Sequence, residues 1–278
     1  MSVNQSRTKS TYDLQWNRFR IVRPEEDRAT FLARTGVTPQ EIAGRVVLDA
    51  GCGMGRYLKV ASGFGPGLLV GIDLSGAVRA AQDATQSLGQ VQIVQGDLLR
   101  PPFPEQKFDL IYSLGVLDHT PDPKAAFLAL ARLLVPGGRI VIWVYEQERG
   151  ILEWVKDVQR AVSTRLPLPV LVGFSRLMAP VGGLKRRLMA SRFRPIERAG
   201  VALHVLTLGV SMHPDPEVRV CDTLDWYAPK FMSRHNWAEV RGWFEQAGLV
   251  DITNVGLAQD FFHEGQGNGV NVIGRRPE

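Results

Sequence analysis

Three aspartates recur at intervals of 24 residues, each at or just after the end of a short apolar run. Asp49 ends the run 45–49, Asp73 ends the run 68–73, and Asp97 follows residues 91–96. Short β-branched runs that alternate with helical stretches predict βαβ units and a parallel sheet. Because right-handed crossovers gather the carboxyl ends of such strands on one edge, we expect the three carboxylates to lie together where open α/β sheets bind ligands.

A glycine-rich loop follows the first aspartate, with the sequence Asp49-Ala50-Gly51-Cys52-Gly53-Met54-Gly55. Glycines allow a tight turn after a strand and let a ligand approach the bare backbone. Dinucleotide-binding dehydrogenases carry glycine at the sixth position of Gly-x-Gly-x-x-Gly. Here that position is Arg56, which disfavours a dinucleotide. Taken alone, the loop is also compatible with a tight turn that binds nothing.

The segment 46–57 resembles motif I of the class I S-adenosylmethionine (SAM)-dependent methyltransferases, and residues 70–75, 96–98, 108–115 and 133–139 resemble further motifs in family order. The resemblance implies that Asp49 lies near the methionine ammonium group, that Asp73 binds both ribose hydroxyls and that Asp97 contacts the adenine amino group. SAM is therefore the expected cofactor. The residues expected to bind it are Asp49, Gly51, Cys52, Gly53, Gly55, Arg56, Asp73, Leu74, Asp97, Leu98, Ser113 and Leu114.

The resemblance is strong over residues 40–147 and moderate over the final helix and two strands. It implies an α/β fold: a doubly wound, seven-stranded, mostly parallel sheet whose last strand is antiparallel. We predict strands at 108–113 and 138–145, a helix from Asp122 to Leu134 ended by Pro136-Gly137-Gly138, a helix at 236–247, and strands at 250–255 and 270–274.

Four segments follow from this pattern. Residues 1–36 form an N-terminal arm and a helix, and Tyr12, Trp16 and Phe19 give the arm apolar side chains with which to dock. Residues 37–148 form the SAM-binding core. Residues 149–232 form a helical insertion after the fifth strand, expected to be a substrate lid, and residues 233–278 complete the core.

The residues at the end of the predicted fourth strand indicate which class of molecule accepts the methyl group. Methyltransferases that act on adenine, cytosine or glutamine amino groups carry an Asp/Asn-Pro-Pro-Tyr/Phe type motif there, whereas this chain has Ser113-Leu114-Gly115-Val116. Residues 117–123 resemble the stretch Leu-His-His-Thr-Pro-Asp-Pro of small-molecule methyltransferases, except that Asp118 replaces the first histidine. His119 is the first candidate for a general base because histidine titrates near neutrality. Asp118 and Tyr145 are further catalytic candidates.

Other candidates have a structural alternative. His119 could equally be a packed loop residue. His213, Tyr227 and His235, in or beside the predicted lid, are better explained by ordinary lid structure than by substrate contact. Cys52 and Cys221, the two cysteines, form neither a disulfide framework nor a four-ligand zinc site, so no metal is expected.

Charge is distributed unevenly. The chain has a net charge of +5, yet residues 156–198 alone hold ten basic and two acidic side chains, a local net of +8. This stretch could attract an anionic substrate, rest on an anionic membrane surface as a peripheral contact, or be a solvated face. No nucleic-acid partner is expected, because no known binding module accompanies the basic stretch.

The chain shows no apolar segment long enough to span a bilayer and no apolar core of a signal peptide, and a cytoplasmic location is expected. The favoured function is transfer of a methyl group from SAM to an O, C or N atom of a small molecule, with lipid-like and anionic acceptors both open. The alternative is a non-catalytic protein that binds SAM or a nucleoside and acts through interactions. The oligomeric state does not follow from the sequence.

Overall fold

The computed structural model of the 278-residue chain describes residues 3–19, 21–147, 150–255 and 269–278. The chain divides into two compact units. The sheet unit comprises the described residues up to 147 together with 231–255 and 269–278, and the helical unit comprises residues 150–230. The predicted boundary between residues 148 and 149 lies outside the described residues.

The sheet unit contains a seven-stranded sheet. Its strands are β1 (Val46–Ala50), β2 (Leu68–Asp73), β3 (Val91–Gln95), β4 (Phe108–Leu114), β5 (Leu134–Tyr145), β6 (Val250–Asn254) and β7 (Gly269–Arg275). Their order across the sheet is β3-β2-β1-β4-β5-β7-β6. The first five pair in parallel, and β7 runs antiparallel to both of its neighbours. This confirms the predicted α/β, mostly parallel, seven-stranded sheet with an antiparallel last strand.

The helices of the sheet unit are α1 (Val3–Arg18), α2 (Pro24–Thr35), α3 (Pro39–Ile42), α4 (Arg56–Ser62), α5 (Val78–Thr85), α6 (Pro123–Ala131) and α11 (Trp237–Gln246), with a 3-10 turn at Leu117–His119. The helical unit contains α7 (Ile151–Ser163), α8 (Leu168–Met189), α9 (Arg194–Leu206) and α10 (Pro216–Tyr227). Within the described ranges, none of these helices is apolar over a stretch long enough to cross a bilayer.

Two apolar cores cover the two faces of the sheet. Successive strand residues point to opposite faces, so Val47 and Tyr112 enter one core with Phe31, whereas Leu48 and Ile111 enter the other. Because β1, β2, β4 and β5 are largely buried between these cores, the site is built from strand-end residues and loops.

The fifth strand begins earlier than the sequence predicts. The helix expected to continue to Leu134 ends at Ala131, and Pro136-Gly137-Gly138 lies within β5 instead of ending a helix. Gly137 has a φ of +74°, and the pairing of β4 with β5 shifts register between Phe108 and Leu110. The glycines therefore accommodate an irregularity in the strand, where a side chain on Gly138 would approach the carbonyl oxygen of Phe108 to 3.1 Å.

The N-terminal arm is a regular helix. Residues 1–20 were expected to form an arm that docks through apolar side chains. Val3–Arg18 form the helix α1, in which Tyr12 and Trp16 contact other parts of the sheet unit and Thr8, Thr11 and Gln15 are buried. Their spacing of three and four residues places them on one face of a helix. Phe19, just after the helix, is also buried.

Candidate active site

The carboxyl ends of the five parallel strands meet at one edge of the sheet unit. Asp49 lies opposite Gly71 on one side and Tyr112 on the other, Asp73 lies opposite Gln95, and Leu114 lies opposite Trp143. The structure thus brings the ends of β1, β2 and β4 together as the sequence predicts, and Tyr145 ends β5 on the same edge.

The glycine loop needs its glycines for conformation and for space. Gly51, Gly53 and Gly55 have φ values of +99°, +50° and +86°, a region that side-chain-bearing residues rarely adopt. A Cβ on Gly51 would lie only 2.3 Å from Cγ2 of Val116. The amides of Gly51 and Cys52 donate to the Ile72 carbonyl at 2.8 and 3.0 Å, which fixes the turn against β2.

Cys52 is a packing residue of this loop. Its side chain is 6% exposed, and its Sγ and Cβ lie close to Gly71. Burial raises the pKa of the Cys52 thiol well above its ordinary value, and the charges of Asp49 and Asp73 raise it further. The thiol is therefore protonated and unreactive at neutral pH.

Asp49 is a buried carboxylate suited to a cationic ligand. Burial raises the pKa of Asp49 to about 8 and the charge of Asp73 adds to this, whereas the Tyr112 hydroxyl and the Arg56 guanidinium lower it. Its Oδ2 is buried and has no hydrogen-bond partner within the described ranges. A buried polar atom without a partner is costly. A ligand ammonium group would supply both the missing hydrogen bond and the compensating charge.

Asp73 stabilises the loops on either side of it. Its Oδ2 accepts the Gly53 amide at 2.9 Å, and its Oδ1 accepts both the amide and the hydroxyl of Ser75, at 2.8 and 2.6 Å. Burial raises the pKa of Asp73, while these hydrogen bonds lower it. A carboxylate has about four acceptor sites, so these three bonds leave about one of them, on Oδ2, for a ligand hydroxyl.

The remaining predicted cofactor residues have varied surroundings. Asp97 accepts the Leu99 amide at 3.0 Å, and the Ser113 hydroxyl donates to the Ala50 carbonyl at 2.8 Å, which ties β4 to β1. Leu98 is buried in the core, while Leu74 and Leu114 are half-buried. The Arg56 guanidinium lies 4.6 Å from the Tyr57 ring centroid and 3.9 Å from an Asp27 oxygen of α2.

Helix α1, which the sequence analysis did not place in the site, packs over this edge. The Gln5 amide donates to Oδ2 of Asp97 at 3.0 Å, and the Gly76 amide donates to Oδ1 of Asp13. The Trp16 indole lies so close to the loop that a Cβ on Gly53 would be 3.4 Å from its Nε1. One helix therefore contacts the loops that follow β1, β2 and β3.

Asp118 has a structural role at the acceptor side. It is fully buried, and its Oδ2 accepts the Tyr145 amide at 3.2 Å. Its carbonyl accepts the Ser233 amide at 2.9 Å. These bonds hold the 3-10 turn against the end of β5 and the segment that precedes α11.

His119 is oriented by a backbone carbonyl. Its Nδ1 lies 2.9 Å from the carbonyl oxygen of Phe231. Since a carbonyl only accepts, Nδ1 carries the proton, and neutral His119 has its lone pair on Nε2. The ring contacts Tyr12 of α1 and Tyr145 edge to face, with centroids 5.4 and 6.0 Å away.

The three residues in or beside the predicted lid have structural partners. In the helical unit, Nδ1 of His213 accepts the Asp215 amide at 3.1 Å, and the Tyr227 hydroxyl donates to the Leu208 carbonyl. Burial raises the pKa of Tyr227 to about 12. In the sheet unit, the two ring nitrogens of His235 lie 2.9 Å from Oε1 of Glu239 and 2.8 Å from the Ser233 hydroxyl.

This arrangement fits SAM: a buried carboxylate for an ammonium group, a bare glycine backbone, and a second carboxylate one strand away. Residues 48–142 also match the family model described as a methyltransferase domain. Residues 48–142 are a class I SAM-dependent methyltransferase domain. This confirms the resemblance that motif I and the strand-end aspartates indicated, and SAM as the cofactor of that class.

Three curated relatives match parts of the chain. The chloroplastic tocopherol O-methyltransferase of Arabidopsis thaliana is 36% identical over 149 residues, which are 48% of this chain and 42% of the relative. The ubiquinone biosynthesis O-methyltransferase of Pseudomonas putida is 35% identical over 103 residues, 36% of this chain and 44% of the relative. The probable tRNA methyltransferase 9B of Mus musculus is 35% identical over 131 residues, 44% and 28% of the two chains. The chain thus spans less than half the length of these relatives.

Among solved structures, the putative methyltransferase in complex with the Trm112 activator from Haloferax volcanii has a TM-score of 0.52 and 17% identity. The match covers 98% of this chain and 95% of that chain. At this identity the likeness shows the fold.

Proposed function

We propose that the protein transfers the methyl group of SAM to an O, C or N atom of a small molecule, and that its acceptor is lipid-like. The observation that carries the proposal is the buried Asp49 carboxylate, without a hydrogen-bond partner for Oδ2 among the described residues, beside the glycine loop of a methyltransferase domain.

The donor site comprises the predicted residues. Asp49 would hold the ammonium group, the backbone of Gly51 and Gly53 would lie against the methionine part, and Asp73 would bind the ribose hydroxyls. Asp97 and Leu98 would contact the adenine, and Ser113 and Leu114 would lie beside the reacting methyl group. Cys52, Gly55, Arg56 and Leu74 would shape the loops around them. Bound SAM supplies an electrophilic methyl group on a sulfonium sulfur.

Helix α1 would exclude water from the donor site. Trp16 covers the glycine loop at Gly53, and Tyr12 lies between Trp16 and His119, with ring centroids 6.5 and 5.4 Å away. Methyl transfer requires alignment and desolvation more than it requires acid–base chemistry. An aromatic cover over the loop provides desolvation, and an aromatic face also stabilises a cation.

His119 is the proposed general base when the group that receives the methyl is a hydroxyl. The Phe231 carbonyl fixes its tautomer, so Nε2 is the nitrogen that can take the proton. Asp118 would position the turn that carries His119 by holding it against the Tyr145 amide. Tyr145 would contribute its ring, which packs against His119.

The choice of a lipid-like acceptor rests on two features. Two of the three relatives described are named for tocopherol and ubiquinone biosynthesis, both O-methyltransferases. The end of β4 also lacks the Asp/Asn-Pro-Pro-Tyr/Phe motif of nucleobase amino-methyltransferases. A phenol or quinol with an apolar tail satisfies both features. A tRNA acceptor has one of the three relatives in its favour, and the second feature argues against an amino group of its bases.

Calorimetric titration with SAM and with its demethylated product tests donor binding first. A coupled turnover assay then follows product formation with phenols, quinols, sterols and tRNA as acceptors. We expect SAM binding, and turnover with an apolar phenol or quinol. Absence of SAM binding at near-millimolar ligand would contradict the proposal outright. Binding without turnover across the acceptors would favour the non-catalytic alternative, and turnover with tRNA alone would overturn the choice of acceptor.

A further inference from the structure

The helical unit exposes an unusual amount of apolar side chain. Of the 14 large hydrophobic residues that are exposed in the described part of the chain, 12 lie between residues 154 and 206. Trp154 is 65% exposed, Leu177 is 70% exposed and Leu206 is 77% exposed. Single exposed apolar residues are normal, but a concentration of them marks an interaction surface.

These side chains form stripes along individual helices. On α7, Trp154, Val158 and Val162 recur every four residues; on α8, Val170, Leu177 and Leu184 recur every seven. Both spacings keep side chains on one face of a helix. The opposite face of α8 is buried, through Leu171, Ser175, Ala179, Gly182 and Lys185. The α8 stripe therefore faces away from the interior of its own unit.

The same region is strongly basic at its surface. Two of its ten basic side chains are internal: Arg160 donates to the Trp226 and Pro229 carbonyls, and Lys185 donates to the Thr207 and Val210 carbonyls. Seven arginines are exposed, against two exposed acidic residues, Asp157 and Glu197. The exposed arginines are Arg165, Arg176, Arg186, Arg187, Arg192, Arg194 and Arg198. Arg176 and Arg187 border the α8 stripe in the helical projection.

Charge and apolarity together identify the occupant of this surface. Two copies of the chain that met face to face here would oppose arginines with arginines. Nucleic acid would satisfy the arginines but would leave Leu177 and Leu184 against a hydrophilic backbone. An anionic bilayer accommodates both kinds of side chain, because the arginines contact the lipid headgroups and the apolar side chains enter the boundary of the acyl region.

We propose that the helical unit docks on the surface of an anionic lipid membrane through the α8 stripe and its flanking arginines. The proposal goes beyond methyl transfer, because it concerns adsorption of the protein and requires no turnover. It fits a lipid-like acceptor, since such a molecule resides in the bilayer that this surface would contact.

Vesicle flotation of the full chain tests the proposal, with vesicles of phosphatidylcholine alone and of phosphatidylcholine mixed with phosphatidylglycerol. We expect binding to the mixed vesicles that weakens with salt, and little binding to the neutral ones. The variant Leu177→Glu/Leu184→Glu should lose vesicle binding. The variant Arg176→Ala/Arg187→Ala should bind the mixed vesicles about 25-fold more weakly, from about fivefold per arginine.

The matched control is Val22→Glu/Val250→Glu, which places the same two charges on exposed valines of the sheet unit and should bind vesicles like the unsubstituted chain. Circular dichroism and SAM titration of each variant show that it is folded, and SAM titration also separates failure of this proposal from failure of the proposed function. Full vesicle binding by Leu177→Glu/Leu184→Glu, or no binding to the mixed vesicles, would refute it. The proposal would also be refuted if light scattering showed that the unsubstituted chain is a dimer and that Leu177→Glu/Leu184→Glu is a monomer, because a second copy would then cover the α8 stripe.

Discussion

Asp49 links donor binding to pH. A SAM ammonium group would be stabilised by ionised Asp49, but burial raises the pKa of Asp49 to about 8 in the unliganded protein. Binding of the cation must therefore release a proton from the carboxyl group below pH 8. We expect SAM affinity to rise with pH across the neutral range, and we expect Asp49→Asn to remove that rise.

The magnitude follows from the ionised fraction. With a pKa of about 8, about one hundredth of Asp49 is ionised at pH 6, about one tenth at pH 7 and half at pH 8. If SAM binds only the ionised form of Asp49, the affinity for SAM with a protonated amino group rises about ninefold from pH 6 to pH 7 and about fivefold from pH 7 to pH 8. At pH 7, binding releases about 0.9 proton.

Titration calorimetry in two buffers with different ionisation enthalpies measures both the affinity and the proton release. The amino group of SAM itself has a pKa of about 8. The pH dependence of SAM binding to Asp49→Asn measures that contribution, which is then subtracted from the pH dependence of the unsubstituted chain. An affinity that stays constant from pH 6 to pH 7.5, or proton release that persists in Asp49→Asn, would refute the reasoning.

The unliganded protein should show the opposite trend in stability. Because the folded-state pKa of Asp49 lies above its unfolded value of 3.8, the folded chain holds the proton through a window in which the unfolded chain has lost it. The contribution of Asp49 to stability is therefore present at low pH and is lost as pH rises towards 8. Thermal melts of the unliganded chain and of Asp49→Asn over this window measure it.

Four further predictions concern single side chains. Gly51→Ala should weaken SAM binding more than about tenfold, because the positive φ of Gly51 and the nearby Val116 side chain both oppose a Cβ. Gly89→Ala is the control and should bind SAM normally, because a Cβ on Gly89 would have no atom within 4 Å. Equal affinities of the two variants in calorimetry would contradict this prediction. Trp16→Ala should release SAM about tenfold faster in stopped-flow displacement, equal to about 1.4 kcal/mol, and an unchanged rate would remove Trp16 from the donor site. Gln5→Ala should tighten SAM binding up to about tenfold, because it removes a hydrogen bond that occupies Asp97; weaker binding would show that Gln5 supports the donor. His119→Ala should lower kcat/KM for a hydroxyl acceptor by about a hundredfold or more without changing SAM affinity, and undiminished turnover would exclude His119 as the base.

The donor side of the site was predictable because its signals are local. Each strand-end aspartate follows an apolar β-branched run, and the glycines of the loop are required by positive φ angles at consecutive odd positions. The parallel crossover rule then places the strand ends on one edge without further information. Ser75, which hydrogen-bonds to Asp73, was not singled out, although its place two residues after the aspartate is a signal of such a turn.

Tyr12 and Trp16 indicated that the N-terminal arm docks, but the side chains that α1 buries most fully are polar. Thr8, Thr11 and Gln15 carry the helical spacing, but a search for apolar residues passes over them. Its contacts to the site also join residues far apart in sequence, such as Gln5 and Asp97. Likewise, Pro136-Gly137 signals a helix end locally, but it lies within β5, between Leu134 and Arg139, which pair with β4.

Helix α1 acts on the donor site in two opposing ways. Trp16 covers the glycine loop, which favours a bound donor by excluding water, whereas Gln5 hydrogen-bonds to Asp97, the carboxylate assigned to the adenine amino group. Binding of adenine at Asp97 would exchange one amide donor for another, so that hydrogen bond contributes little net affinity. Most of the donor affinity must then come from the Asp49 end of the site, where a buried oxygen without a partner in the described structure gains one. For this reason the pH dependence of binding should follow Asp49 and not Asp97.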